Sequence, residues 1–188
     1  MKKRIFVING YAATGKSTFC SMISSIVPSK TYSSVQDIKQ VAKILGWDGS
    51  TKDEKTRKFL SDLKILSAEY NDHPYNMLVK TIKEFYEDTI HEWLFLHVRE
   101  PGEIFRLKTD FPEIIRILVV NPNVAQITSN MADANVFSCK YDEVIENDSD
   151  LSHLKQKANE FIEKYREEKD EQQSAELYNS ISGGTVCE

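Results

Sequence analysis

Hydrophobic and polar positions alternate between two rhythms along the chain. Ile5-Phe6-Val7-Ile8, Trp93-Leu94-Phe95-Leu96-His97-Val98 and Ile114 to Val120 are nearly continuous in apolar character. Such runs suit central parallel strands covered on both faces. Thr31-Tyr32-Ser33-Ser34 and Glu143-Val144-Ile145 read as shorter strands. Between these runs the apolar spacing is helical. Phe19, Met22, Ile23 and Ile26 share one face of a helix from Thr18 to Ile26, and Ile38, Val41, Ala42 and Leu45 share one face from Val35 to Leu45, with Gly46 as the stop. The charged segment Thr51 to Tyr70 carries the stripe Phe59, Leu63, Leu66 and Tyr70; after the break at Asn71-Asp72-His73-Pro74, Tyr75 to Asp88 turns Met77, Leu78, Ile82 and Phe85 inward. Asp148-Ser149-Asp150 caps a last helix reaching about Tyr165, with Leu151, Leu154, Ala158, Phe161, Ile162 and Tyr165 inward. Beyond Arg166 the periodicity stops, and 167–188 reads as a polar, mobile tail. Strands alternating with helices predict an α/β fold of three layers, a parallel sheet between helices.

The first strand runs directly into Gly10-Tyr11-Ala12-Ala13-Thr14-Gly15-Lys16-Ser17, which fits G-x-x-x-x-G-K-[ST], and Thr18 then opens a helix. Small residues let successive backbone N–H groups curl around an anion, Lys16 reaches the outer phosphates, and Ser17 is left to hold magnesium. The helix that follows aims its positive end at the same place. Strand, loop and helix occur in the required order, so Gly10, Ala12, Ala13, Thr14, Gly15, Lys16, Ser17 and Thr18 are expected to bind the phosphates of a nucleotide.

Composition narrows the setting. The 188 residues fit one domain with a substantial core. A formal net charge of -5 argues against a general nucleic-acid coat or a binder of anionic membranes, and favours a small-molecule partner. Cys20, Cys139 and Cys187 are scattered and lack metal-ligand spacing, so they read as reduced thiols of a cytoplasmic protein. Asn9-Gly10 interrupts the first apolar run too early for a signal peptide, and no segment reads as a membrane span. His73, His91 and His153 lie far apart in exposed or helix-end contexts and suggest no metal site.

Several motifs together resemble a known group. The phosphate loop, the Ile38-Lys39 helix, the basic segment Lys52 to Lys64, the strand end Phe-Leu-His-Val-Arg-Glu and Tyr141-Asp142-Glu143-Val144-Ile145-Glu146-Asn147-Asp148 look like the deoxynucleoside monophosphate kinase and phosphomevalonate kinase branch of the P-loop kinases. The resemblance covers residue 1 to about 165. It implies a kinase domain over 1–166, with a helical acceptor-binding segment at 51–90 and a lid-like segment at 121–140. It further implies that Mg2+-ATP gives its γ-phosphoryl group to a phosphate on a small acceptor, a nucleoside monophosphate first of all. Lys39, Lys52, Arg57 and Arg99 fall where related kinases place cations around the acceptor or the transferred group.

These assignments make mechanical sense, because phosphoryl transfer is mostly positioning and charge neutralisation. Lys16 serves the donor. Arg99 leaves the C-terminal end of a central strand, where ligands of open α/β sheets gather. Arg57 and Lys64 share a helix side with Ser61 between them, which would let an anion dock. Lys16, Arg99 and Arg57 are therefore the expected catalytic cations. His97 leaves the same strand end as Arg99 and serves either substrate or core; Trp47 and Tyr70 serve either stacking or packing. For magnesium, Glu100 is the carboxylate nearest the strand end and Asp37 is its rival. The lid-like segment carries no arginine; Asn121, Asn130 and Asn135 offer hydrogen bonds but no charge. Two other readings stay open: the same chemistry on a non-nucleotide phosphorylated metabolite, or a nucleotide-binding sensor without transfer activity.

Overall fold

The computed structural model describes residues 3–51, 53–124 and 135–182, with side chains as far as Arg166. The strands are β1 (Arg4–Asn9), β2 (Ser29–Ser33), β3 (Trp93–His97), β4 (Ile115–Val120) and β5 (Glu143–Glu146). The helices are α1 (Lys16–Ser24), α2 (Gln36–Ile44), α3 (Glu54–Asn71), α4 (His73–Glu87), α5 (Pro101–Asp110) and α6 (Leu151–Ser182). All strand pairs are parallel, in the order β2-β3-β1-β4-β5. The apolar run of β1 thus lies at the centre, between β3 and β4, with Ile8 level with His97 and with Ile117.

Alternation along the strands sends side chains to two separate cores. Phe6, Ile8, Trp93, Phe95, Ile117 and Val119 pack with Phe19 and Ile23 of α1 and with Leu154, Ala158, Phe161, Ile162 and Tyr165 of α6. Phe161 and Tyr165 meet with ring centroids 4.6 Å apart, and both lie against Phe6. On the other face Ile5, Val7, Leu94, Leu96 and Val98 pack with Tyr75, Leu78, Ile82 and Phe85 of α4 and with Ile104 and Leu107 of α5. Helices on both faces of one parallel sheet are the three-layer α/β fold that the sequence predicts.

The differences are local. Ile26, Val41, Leu45, Leu66 and Tyr70, expected inside, are exposed. Helix α2 packs mainly on α3, and only Ile38 and Ala42 of its stripe are buried. Helix α5 carries no signal strong enough to be read between two apolar strands. Helix α6 continues past Tyr165 to Ser182, into the segment expected as a polar tail from 167. Its Glu, Lys, Gln and Ala content favours helix without any apolar stripe. Residues 183–188 lie outside the described residues, as do Lys52 and 125–134 of the lid-like segment. Among the described residues no helix is long and apolar enough to cross a membrane.

Candidate phosphate-binding site

The loop after β1 is shaped by three residues with positive φ: Gly10 at 137°, Ala13 at 65° and Gly15 at 99°. Two of these demand glycine for space as well. A Cβ on Gly10 would stand 2.2 Å from Val119 O of β4, and one on Gly15 would stand 2.5 Å from Asn147 Nδ2. The turn is closed by Thr14 Oγ1 donating to Tyr11 O at 3.0 Å and by Asn147 Nδ2 donating to Thr14 O at 3.1 Å. Gly15 is the residue before α1, so the first N–H groups of that helix, without intrahelical acceptors, open onto the loop. Lys16 Nζ donates to Gly10 O at 2.6 Å and to Tyr11 O, which holds the ammonium across the loop. Ala12 is half-buried, Ala13, Ser17 and Thr18 are exposed, and Thr14 is buried. A cavity of about 580 Å³ continues from Ser17 and Thr18 between α1 and α6, reaching Lys155 and Asn159.

Parallel pairing carries a second cluster to the same sheet end. His97, level with Ile8, is mostly buried, and its imidazole is lowered to about 4 by burial and by the charges of Lys16, Arg99 and Lys39. The charges of all three expected cations thus act on one imidazole. His97 Nε2 also lies 3.9 Å from Cys20 Sγ, whose thiol burial pushes up to about 12, so the sulfur is a packing group. Lys39, Arg57 and Arg99 are exposed.

Two of the residues expected at the site are paired with each other. Lys64, expected to dock an anion beside Arg57, is 7% exposed and pairs with Glu100 and, at 3.0 Å, with Glu103 of α5. It also donates to the buried Ser34 Oγ at 3.3 Å. Glu100 is correspondingly committed. Burial raises its carboxyl, but the adjacent Lys64 outweighs that and holds it below its ordinary value. Glu103, beside an ammonium already shared, is raised by burial to about 7. Asp37 faces His73 Nε2 at 3.1 Å and accepts from Tyr32 OH at 3.5 Å. The Tyr32 phenol is pushed up to about 12 by burial and by Asp37.

Other residues fall into local roles. Trp47 Nε1 donates to Thr51 O at 3.0 Å, Tyr70 is exposed, and Asn121 Oδ1 accepts from Asn123 N at 2.8 Å within its own turn. His91 and His153 pair with Asp88 and Asp148. Among the described residues no group of His, Cys, Asp and Glu has the clustering of a metal centre.

Three residues of the site escape the sequence pattern. Asn9 is wholly buried at the end of β1; it accepts from Gly10 N at 2.7 Å and donates to Tyr141 OH at 2.8 Å. Asn147 braces the loop from the end of β5. Glu103 completes the Lys64 cluster from α5. Asn9 had one visible signal, as the lone polar residue ending an apolar strand; the partners of the others are distant in sequence.

Solved structures similar to this chain share its fold. A dephospho-CoA kinase from Campylobacter jejuni superimposes with a TM-score of 0.52 at 14% identity, covering 87% of this chain and 97% of that one. TT1252 from Thermus thermophilus gives a TM-score of 0.50 at 14% identity, covering 87% of this chain and 98% of the other. At such identity the likeness is one of fold alone. No protein-family model matches the sequence. No curated protein matches it either.

Proposed function

We propose that this chain is a Mg2+-ATP-dependent phosphotransferase that moves the γ-phosphoryl group to a (deoxy)nucleoside monophosphate. The observation that carries the reading is the glycine-shaped phosphate loop with Lys16 held across it, set beside the end of β3 that leads into Arg99, with Lys39 on α2. One cation belongs to the donor loop, and two come from the neighbouring strand end and from α2. This supports a reaction in which two phosphates meet, since their repulsion and the spreading charge of the transition state both require cations on each side. The kinase fold of the similar structures supports the same chemistry.

In this reading the first turn of α1 and the loop amides hold the ATP phosphates, and Lys16 leaves its loop carbonyls for the outer ones. Ser17, exposed at the head of α1, would hold Mg2+ together with those phosphates. The ion supplies neutralisation of the donor charge. Glu100 does not fit as its ligand, because its carboxylate is paired with Lys64. Asp37 remains the carboxylate for an outer contact. Arg99, Lys39 and Arg57 attract and orient the acceptor phosphate, and 51–90 is the acceptor segment. Lys64 has a different role, anchoring that segment to α5 through Glu100 and Glu103. The neutral His97 offers the acceptor a hydrogen bond without competing for its proton.

The test is ADP release from Mg2+-ATP across ribo- and deoxynucleoside monophosphates and non-nucleotide phosphate acceptors, with Lys16→Met as the blank. Turnover dependent on a nucleoside monophosphate is the expected result.

A further inference from the structure

We propose that Asn9 is a positioning residue that ties the phosphate loop to the strand end carrying Arg99, and that Tyr141 holds Asn9 in the orientation this requires; the inference rests on the phosphotransferase reading above. The β1–β3 register ends at Ile8 and His97, and a last backbone bond runs from Val98 N to Ile8 O at 3.3 Å. Beyond that point the two chains diverge, one into the loop and the other toward α5. The Asn9 side chain supplies the missing rung. Its Oδ1 accepts from Gly10 N at 2.7 Å, and its Nδ2 donates to Arg99 O at 3.4 Å. One amide thus joins the first N–H of the donor loop to the backbone of the expected acceptor cation.

The polarity of this arrangement leaves no freedom. A backbone N–H only donates and a carbonyl only accepts, so the amide of Asn9 has one orientation compatible with both. Its remaining donor goes to Tyr141 OH at 2.8 Å, and Tyr141 in turn donates to Val136 O at 2.6 Å. Because Asn9 is 0% exposed, water does not replace a lost partner there. A carboxylate at this position would face Arg99 O with a second acceptor, and an aliphatic side chain would remove both contacts. Burial raises the Tyr141 phenol, so the hydroxyl keeps the proton it donates. The consequence is geometric: the separation of loop and Arg99 is set by a short, fully used hydrogen-bond chain. A misplacement of reacting groups by about 1 Å costs about 100-fold in rate.

The test uses the full chain with Asn9→Leu, which removes the contacts without adding charge, and Tyr141→Phe, which removes only the orienting hydroxyl. Thermal melting, ATP affinity by calorimetry and steady-state turnover are measured for each. Asn9→Leu is expected to weaken ATP about tenfold and lower kcat about 100-fold, while Tyr141→Phe lowers kcat about tenfold with both KM values within about twofold of wild type. Should Asn9→Leu fail to fold, Tyr141→Phe decides alone by its split of kcat from KM. Folded variants with wild-type ATP affinity and kcat, or a loss of melting temperature alone, overturn the proposal. If the wild type binds ATP but transfers to no acceptor, the functional reading fails by itself; a weakened ATP affinity in Asn9→Leu then still supports the role of Asn9, and an unchanged one overturns it. A wild type that does not bind ATP overturns both.

Discussion

Lys64 Nζ lies 3.0 Å from Glu103 Oε2, and through this contact α3 of the proposed acceptor segment is fixed to α5, the helix that follows Arg99. The same ammonium pairs with Glu100, so one cation serves two carboxylates in a region where Lys64 itself is almost sealed from water. Replacing it by Met would leave two carboxyl groups facing each other with nothing between them. Breaking a buried pair from one side costs about 3–5 kcal/mol. Lys64→Met is therefore expected to lower unfolding stability by about 3 kcal/mol in urea titration, and adding Glu103→Gln should recover part of it. A loss below about 1 kcal/mol would mean that the cluster is solvated and anchors nothing.

Glu103 also gives the fold a pH signature. Its carboxyl is raised from 4.5 to about 7 by burial, so the folded state binds this proton more tightly than the unfolded chain does. The stability it contributes is present below 4.5 and disappears as pH rises through about 7. Between these values wild type should lose stability relative to Glu103→Gln, measured by denaturant midpoints at matched pH. The comparison with the variant cancels His97, whose depressed titration acts in the opposite direction in both proteins. A difference that does not change with pH would refute the assignment.

The action of nearby charges on His97 is measurable without any substrate. The imidazole titrates near 4 because of burial first and the charges of Lys16, Arg99 and Lys39 after it. Removing a neighbouring positive charge makes protonation easier, so Lys39→Ala and Lys16→Met should each raise the His97 titration observed by NMR. A titration unmoved by both would separate these lysines from the strand end.

The two glycines of the loop should fail differently. At Gly10 an added Cβ meets a backbone oxygen of β4, whereas at Gly15 it meets the side chain of Asn147, which can turn aside. Both positions also carry the strain of positive φ, of order 1–3 kcal/mol for a non-glycine residue. Gly10→Ala is expected to destabilise the whole sheet in thermal melting, and Gly15→Ala mainly to weaken ATP binding in calorimetry. Equal melting losses for the two would argue against the close approach of Val119 to Gly10.

How much of this was legible in the sequence depends on the range of the interactions involved. The phosphate loop and the two-core sheet could be read because residue type and spacing encode them locally: Gly10, Gly15 and Lys16 declare the loop, and the apolar runs of β1, β3 and β4 declare buried strands. The pairing of Lys64 could not be read because its partners, Glu100 just before α5 and Glu103 on it, are distant in sequence, and the short amphipathic pattern of α5 is overshadowed by its neighbouring strands. Val41 and Leu45 mark the complementary limit. Helical spacing names a face, but whether that face is covered is decided by the neighbours the fold brings to it, here α3. Asn9 and Asn147 were hidden for the same reason as Glu103, since a polar side chain reveals its purpose only when its distant partner is in place.

The most direct measurement is transfer of a radiolabelled γ-phosphate from ATP onto nucleoside monophosphates, resolved chromatographically, with wild type beside Lys16→Met. The account predicts labelled nucleoside diphosphate with wild type and its disappearance in the variant. Bound ATP with no labelled acceptor from any nucleoside monophosphate, or label found only as inorganic phosphate, would contradict it.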